Sequence, residues 1–249
     1  MSATALDRLG DRKALLRTFD DYRRGVEASR PLLAHDDAVQ QALDVLTSSR
    51  LVKAFDLNQE PAKLRERYGV DDPDILPYSR LGYGAMRSRF LLARRLIESG
   101  VRVVTVSFAD FDWHGSNFKH GRKVIPAFDQ ALTALVDDLH ARGLDRDVSV
   151  IAWGEFGRTP RINDKAGRDH WPAVNSAFLA CGGMRTGQVI GSTNRNAESV
   201  KDRPVHYQEV FATLYHHLGI AAHQTTVNDV ISNRPRAILE NREPIKELA

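Results

Sequence analysis

A chain of 249 residues that is 42% hydrophobic and 27% charged carries enough apolar surface for a folded core, which excludes a largely disordered polypeptide. The formal net charge is only +3 although the sequence pI is about 9.1, and the arginines are scattered through helical patterns, so a nucleic-acid surface gains little support and a small anionic substrate fits as well. The single cysteine, Cys181, excludes an internal disulfide framework, and no apolar run approaches the roughly 18 residues of a membrane span.

Helices dominate the first hundred residues. Leu15, Leu16, Phe19, Tyr22 and Val26 share one face, as do Val39, Leu43 and Leu46, and then Met86, Phe90, Ala93 and Ile97. Met1 to Asp20 is a charged helical pattern without an apolar signal-peptide core, so the chain as written is expected to stay cytoplasmic. Between the helices, Gly69 to Gly84 collects Asp71, Asp72, Pro73, Asp74, Pro77 and Gly82, a turn-rich loop suited to a hinge or lid.

From Gly100 the pattern changes. Val101 to Phe108 is a β-branched run expected as a buried strand, followed by a helix bearing Val124, Ile125, Phe128, Leu132, Leu135, Val136 and Leu139 that ends at Gly143. Val148 to Trp153 is a second strand, which makes a right-handed parallel βαβ unit. Val174 to Cys181 supplies a third strand with a buried thiol, Gln188 to Gly191 a short fourth, and His206 to Leu218 a helix closed by Gly219. The tail from Ser232 to Ala249 is mostly polar and is expected on the surface. The organisation is thus a helical segment over 1–99 and an α/β core over 100–249, packed as one compact domain.

In an open α/β sheet, ligands bind beyond the carboxyl ends of the strands. That rule selects Asp110 to Asn117 after the first strand and Gly154 to Pro160 after the second. Asp112 and His114 are two apart, so on an extended segment both side chains point the same way and can share a metal ion. The alternative is a turn in which Asp112 caps the following helix and His114 is polar filler. Glu155 either joins the ligands or marks a turn neutralised by Arg158. A third segment, Gly167 to Pro172, adds Asp169 and His170. Imidazole and carboxylate donors together suit zinc, manganese or iron better than calcium. Arg158, Arg161 and Arg168 surround these residues and either bind phosphate or sulfate oxygens or are ordinary surface charge. His206, His216 and His217 lie on a helix without ligand spacing, and His35, His120, His140 and His223 have no suggestive carboxylate partner.

The segments Asp112-Trp-His114-Gly-Ser-Asn117-Phe118, Trp153-Gly-Glu-Phe-Gly-Arg-Thr-Pro-Arg-Ile-Asn163 and Gly167-Arg-Asp-His-Trp-Pro172 resemble a bacterial family of sulfatase-like proteins of unknown function, of DUF1501 type. The likeness runs from about Leu15 to the closing Glu243-Pro-Ile-Lys-Glu-Leu248. It implies a branch of the alkaline phosphatase superfamily, and with it a mostly parallel sheet flanked by helices. It also implies hydrolysis of a phosphate or sulfate ester at a divalent-metal site, zinc or manganese being favoured. By this resemblance the metal ligands are Asp112, His114, Glu155, Asp169 and His170, and the substrate-binding residues are Arg158 and Arg168. Phe156 stands where a histidine is expected, which puts a second metal in doubt. The resemblance further implies an N-terminal strand region that this chain lacks, and exported full-length relatives.

Two functions follow as expectations: a metal-dependent hydrolase of an anionic ester, incomplete in this chain, or a catalytically inactive metal-binding protein completed by a separate N-terminal half or by a second copy. Neither Ser116 nor Thr159 carries the pattern of a nucleophile.

Overall fold

The computed structural model describes residues 49–72, 86–109, 111–240 and 242–248. The helices expected over Leu15 to Val26 and Val39 to Leu46, most of the Gly69 to Gly84 loop, and Asp110 lie outside the described residues. The chain divides into two compact units, one containing residues 49–71 and 86–108, the other residue 72 and the described residues from 109 onward.

The first unit holds α1 (Ser49–Ala54), a single 3-10 turn (Leu57–Gln59), α2 (Ala62–Tyr68) and α3 (Ser88–Glu98). Of the 86/90/93/97 positions, Phe90, Ala93 and Ile97 fall in α3, with Phe90 and Ala93 buried beside Leu91, while Met86 precedes it. Arg94 on the same helix is 1% exposed and pairs with Glu60 at 2.9 Å and with Glu98 one turn further on. Burial pushes the Glu60 carboxyl up, but its hydrogen bonds to Arg94 and Arg95 outweigh that and hold it below its ordinary value.

Gly100, Gly143 and Gly219 each close a helix in the same way. Gly100 has φ +105°; its N–H donates to Ile97 O at 2.9 Å while Val101 N–H donates to Leu96 O at 3.1 Å, so the last carbonyls are satisfied by a reversal that only a left-handed residue permits. The same pair of bonds forms at Gly143 and Gly219.

The second unit contains α4 (Asn117–Ala141), β1 (Ser149–Trp153), β2 (Gly157–Arg158), β3 (His170–Trp171), β4 (Ala177–Cys181), β5 (Ser192–Thr193), β6 (Val200–Asp202), α5 (Tyr207–His217), β7 (Thr226–Asn228) and β8 (Pro235–Ala237). Val124, Ala127, Ala131, Leu132, Leu135 and Leu139 form the buried face of α4, whereas Ile125 is 54% exposed and belongs to the other side.

The strands overturn the expected mostly parallel, alkaline-phosphatase-like sheet. Among the described residues they form four two-stranded sheets, β1-β4, β2-β3, β5-β6 and β7-β8, every one antiparallel. The expected βαβ unit needed Val101 to Phe108 as a strand beside β1. That segment joins no ladder; it is tied to α3 by Phe108 packing edge-on to Phe90 at 5.4 Å and by Ser107 O accepting from Arg89 at 2.9 Å. β-Branched composition describes a residue that fits a pleated surface, but a strand exists only with a hydrogen-bonded partner. The partner of β1 is β4, in register from Ser149 opposite Cys181 to Trp153 opposite Ala177. Gln188 to Gly191 is likewise not a strand; pairing begins at Ser192.

Helix α5 starts at a capping box, with His206 accepting from Gln208 N–H and Glu209 accepting from His206 N–H at 2.7 Å. The tail does not simply lie on the surface. Ile245 and Leu248 are buried with Met184 and Val210, against Ile151 and Leu179 of the β1-β4 pair. Ile245 N–H donates to Thr213 Oγ1 at 2.8 Å, and Arg203 grips both carboxylate oxygens of Glu247, at 2.8 and 2.9 Å. Cys181 is buried, as its apolar neighbours suggested, and burial pushes its thiol up, away from the reactive thiolate. No described helix is long and apolar enough to cross a membrane.

Candidate metal centre

Three chain segments build the site. Residues 111–116 form a tight turn entering α4, with Trp113 N–H bonded to Phe111 O at 2.9 Å and His114 N–H to Asp112 O at 3.1 Å. The Trp113 ring turns away, lying 5.1 Å from Phe111 and 5.9 Å from His120 between ring centres. The second and third segments are β2 and β3, whose pairing sets Arg158 opposite His170.

The helix-capping alternative for Asp112 does not hold: the N-cap of α4 is Ser116, and the Asp112 carboxylate is engaged with Arg158 and His170. Its Oδ1 accepts from Arg158 Nη2 at 2.7 Å and lies 3.0 Å from His170 Nε2 and 3.0 Å from His114 Nε2. The two imidazole Nε2 atoms are 3.1 Å apart. Arg158 first, and then His170, hold the Asp112 carboxyl far below the ordinary carboxylate range, so it is ionised.

These three atoms form a nearly equilateral triangle of donors. Atoms bound at about 2.1 Å to a common centre stand about 3.0–3.4 Å apart as the angle between them runs from about 90° to 109°, so the triangle matches what a divalent transition metal requires. Asp112, His114 and His170 are the described residues that group in this way.

The orientation of His114 is fixed from behind. Its Nδ1 lies 2.8 Å from Asp169 Oδ1. Hydrogen bonding to His114, and then to Asn163, holds Asp169 below its ordinary value; an ionised carboxylate only accepts, so this contact is made by a proton on His114 Nδ1, which turns Nε2 toward the triangle. Asp169 therefore supports a donor and is not itself part of the triangle.

The other expected residues have different surroundings. Glu155, exposed beyond the end of β1, is outside the donor group. Phe156 lies against His170 at 4.4 Å between ring centres, so that flank of the imidazole presents carbon. Arg158 is engaged with Asp112, and its Nη1 reaches Arg168 O at 3.4 Å. Arg168 donates from Nη1 to Thr159 O and Pro160 O, both at 2.6 Å, and its guanidinium lies 5.8 Å from the centre of the Phe118 ring. Thr159 Oγ1 donates to Arg161 O at 2.8 Å and accepts from Asp169 N–H at 3.1 Å, which makes it a loop fastener.

Sequence reasoning passed over Asn163 and Gly167 as structural parts of this site. Asn163 makes four hydrogen bonds within it, and a Cβ on Gly167 would stand 2.1 Å from the carbonyl carbon and oxygen of His114. The available signal was the Asn163-Asp-Lys-Ala-Gly167 run, a turn composition with an amide side chain at its head.

A family described as "Protein of unknown function (DUF1501)" matches residues 4–249. No curated protein and no solved structure matches the chain.

Proposed function

Because the chain belongs to the DUF1501 family, whose description assigns no activity, we propose from the geometry that it holds one divalent transition-metal ion, zinc or manganese, on Asp112, His114 and His170, and, from the resemblance of its motifs to sulfatase-like proteins, that the site hydrolyses an anionic phosphate or sulfate ester. The observation that carries this reading is the donor triangle, with edges of 3.0, 3.0 and 3.1 Å. An ion held there supplies Lewis acidity toward an ester oxygen and makes water acidic enough to attack near neutral pH. The chain's own residues do the rest. Asp169 fixes the tautomer of His114, Arg158 orients Asp112 and offsets its charge, and the Phe156 ring keeps water from one side of His170. Arg158 and Arg168 contribute positive charge to the loops that an anionic ester would approach.

A second reading, metal binding without turnover, is favoured by the engagement of the Thr159 hydroxyl at both its donor and its acceptor positions, which leaves this loop no poised nucleophile. Elemental analysis of the purified chain and of the His114→Ala and His170→Ala variants tests the site, and a phosphate- and sulfate-ester screen of the metal-loaded chain then separates the two readings. Near-stoichiometric metal, lost in both variants, with ester turnover supports the hydrolase. Metal without turnover supports the second reading, and metal content unchanged in the variants refutes both.

A further inference from the structure

The side chain of Asn163 reaches His114 directly at its main chain and indirectly, through Asp169, at its ring. Its Nδ2 donates to the main-chain O of His114 at 3.1 Å and to Asp169 Oδ1 at 3.1 Å, the same oxygen that receives His114 Nδ1–H at 2.8 Å. Its Oδ1 accepts from Lys165 N–H at 3.0 Å and from Gly167 N–H at 2.9 Å. One amide thereby closes the 163–167 loop with its oxygen and, with its nitrogen, grips the backbone of a donor residue and the carboxylate that aims that residue's ring. The loop then lies along the 114–117 segment, where Ser116 N–H donates to Lys165 O at 2.9 Å and Asn117 N–H to Ala166 O at 2.8 Å.

We propose that Asn163 is a positioning residue for the metal centre, setting the place of His114 Nε2 by holding the histidine's main chain and the Asp169 carboxylate in one fixed relation. The inference rests on the metal reading of the site. Asn163 has the chemistry the task needs: two acceptor positions on its oxygen for the loop amides and two N–H groups at fixed divergence for the two oxygens. Aspartate at this position keeps the acceptors and so can close the loop, but it removes both donors and sets a second carboxylate beside Asp169. The Asn163→Asp variant therefore separates the loop-closing function from the positioning function.

The experiment is zinc titration of the metal-depleted full chain against a chromogenic chelator, for the wild type, Asn163→Asp and the double variant Asn163→Asp/Asp169→Asn, with thermal unfolding of each metal-free protein alongside. Wild-type binding tests the underlying site by itself. Given that binding, Asn163→Asp is expected to hold zinc about 10- to 100-fold more weakly, the usual effect of losing a partner behind a ligand, while its metal-free unfolding temperature stays at the wild-type value. The double variant, in which amide and carboxylate exchange places, should recover part of the loss. Unchanged zinc affinity in Asn163→Asp would overturn the assignment and leave the metal site standing. A weakened affinity that tracks an equal collapse of the metal-free protein, with no recovery in the double variant, would also overturn it.

Discussion

His114 Nδ1 stands 2.8 Å from Asp169 Oδ1, and this contact decides which of its two ring nitrogens faces the other donors. Replacing the carboxylate by an amide lets the group present either an oxygen or an N–H to the ring. Asp169→Asn is therefore expected to weaken metal binding about 10- to 100-fold. Nitrogen-detected magnetic resonance of the metal-free protein should at the same time show His114 spread over both tautomers; one tautomer in both proteins would refute the orienting role.

Gly167 is pressed against the same histidine. A methyl group there would enter the His114 carbonyl, so Gly167→Ala must shift either the loop or the donor segment. The expected cost is about 1–3 kcal/mol in urea unfolding, together with weakened metal binding. If the variant matched the wild type in both, the loop would be shown to approach less closely than it does here.

In the first unit, Glu60 lies between two arginines, one of which is 1% exposed. Glu60→Ala takes one of the two carboxylate partners from the buried Arg94, leaving Glu98, and is expected to cost about 1.5–3 kcal/mol, whereas the double change with Arg94→Met should restore much of it. Denaturant unfolding of the two variants checks the sign; a double variant no better than the single would refute the account.

The Arg203 fork holds the Glu247 carboxyl down to about 2, against an ordinary 4.5. For an acid whose folded value is depressed, the stabilisation is present above the unfolded value and disappears as pH falls through the folded one. The window here runs from 4.5 down to about 2. Wild-type thermal stability should decline through that window more steeply than that of Glu247→Gln, which has no charge to lose. Parallel declines would mean that the fork does not carry the acid sensitivity.

Local signals were legible and long-range ones were not. Gly100, Gly143 and Gly219 announced three helix ends because a left-handed reversal has a residue signature. Val148 to Trp153 and Val174 to Cys181 contain the strands β1 and β4, yet nothing in either segment says that they pair with each other and run antiparallel. Val101 to Phe108 is richer in β-branched residues than β1 but joins no ladder, so the parallel sheet expected from it does not form. The donor residues stood out because histidines beside carboxylates are rare enough to notice. Asn163, which ties these segments together, did not, since an amide making four ordinary hydrogen bonds leaves no spacing rule in a sequence. The tail hid Ile245 and Leu248 in the same way, as two apolar positions three apart in a polar stretch.

The chain separation of the donors has a consequence for folding. His114 and His170 are 56 positions apart, with the whole of α4 and β1 between them. No short peptide brings these nitrogens together, so an ion captured there acts as a removable cross-link on the native topology. Because it would bind the folded chain and not the unfolded one, free ion at a thousand times its dissociation constant would stabilise the fold by about 4 kcal/mol. Metal supply would then set how long the protein survives as well as whether it works.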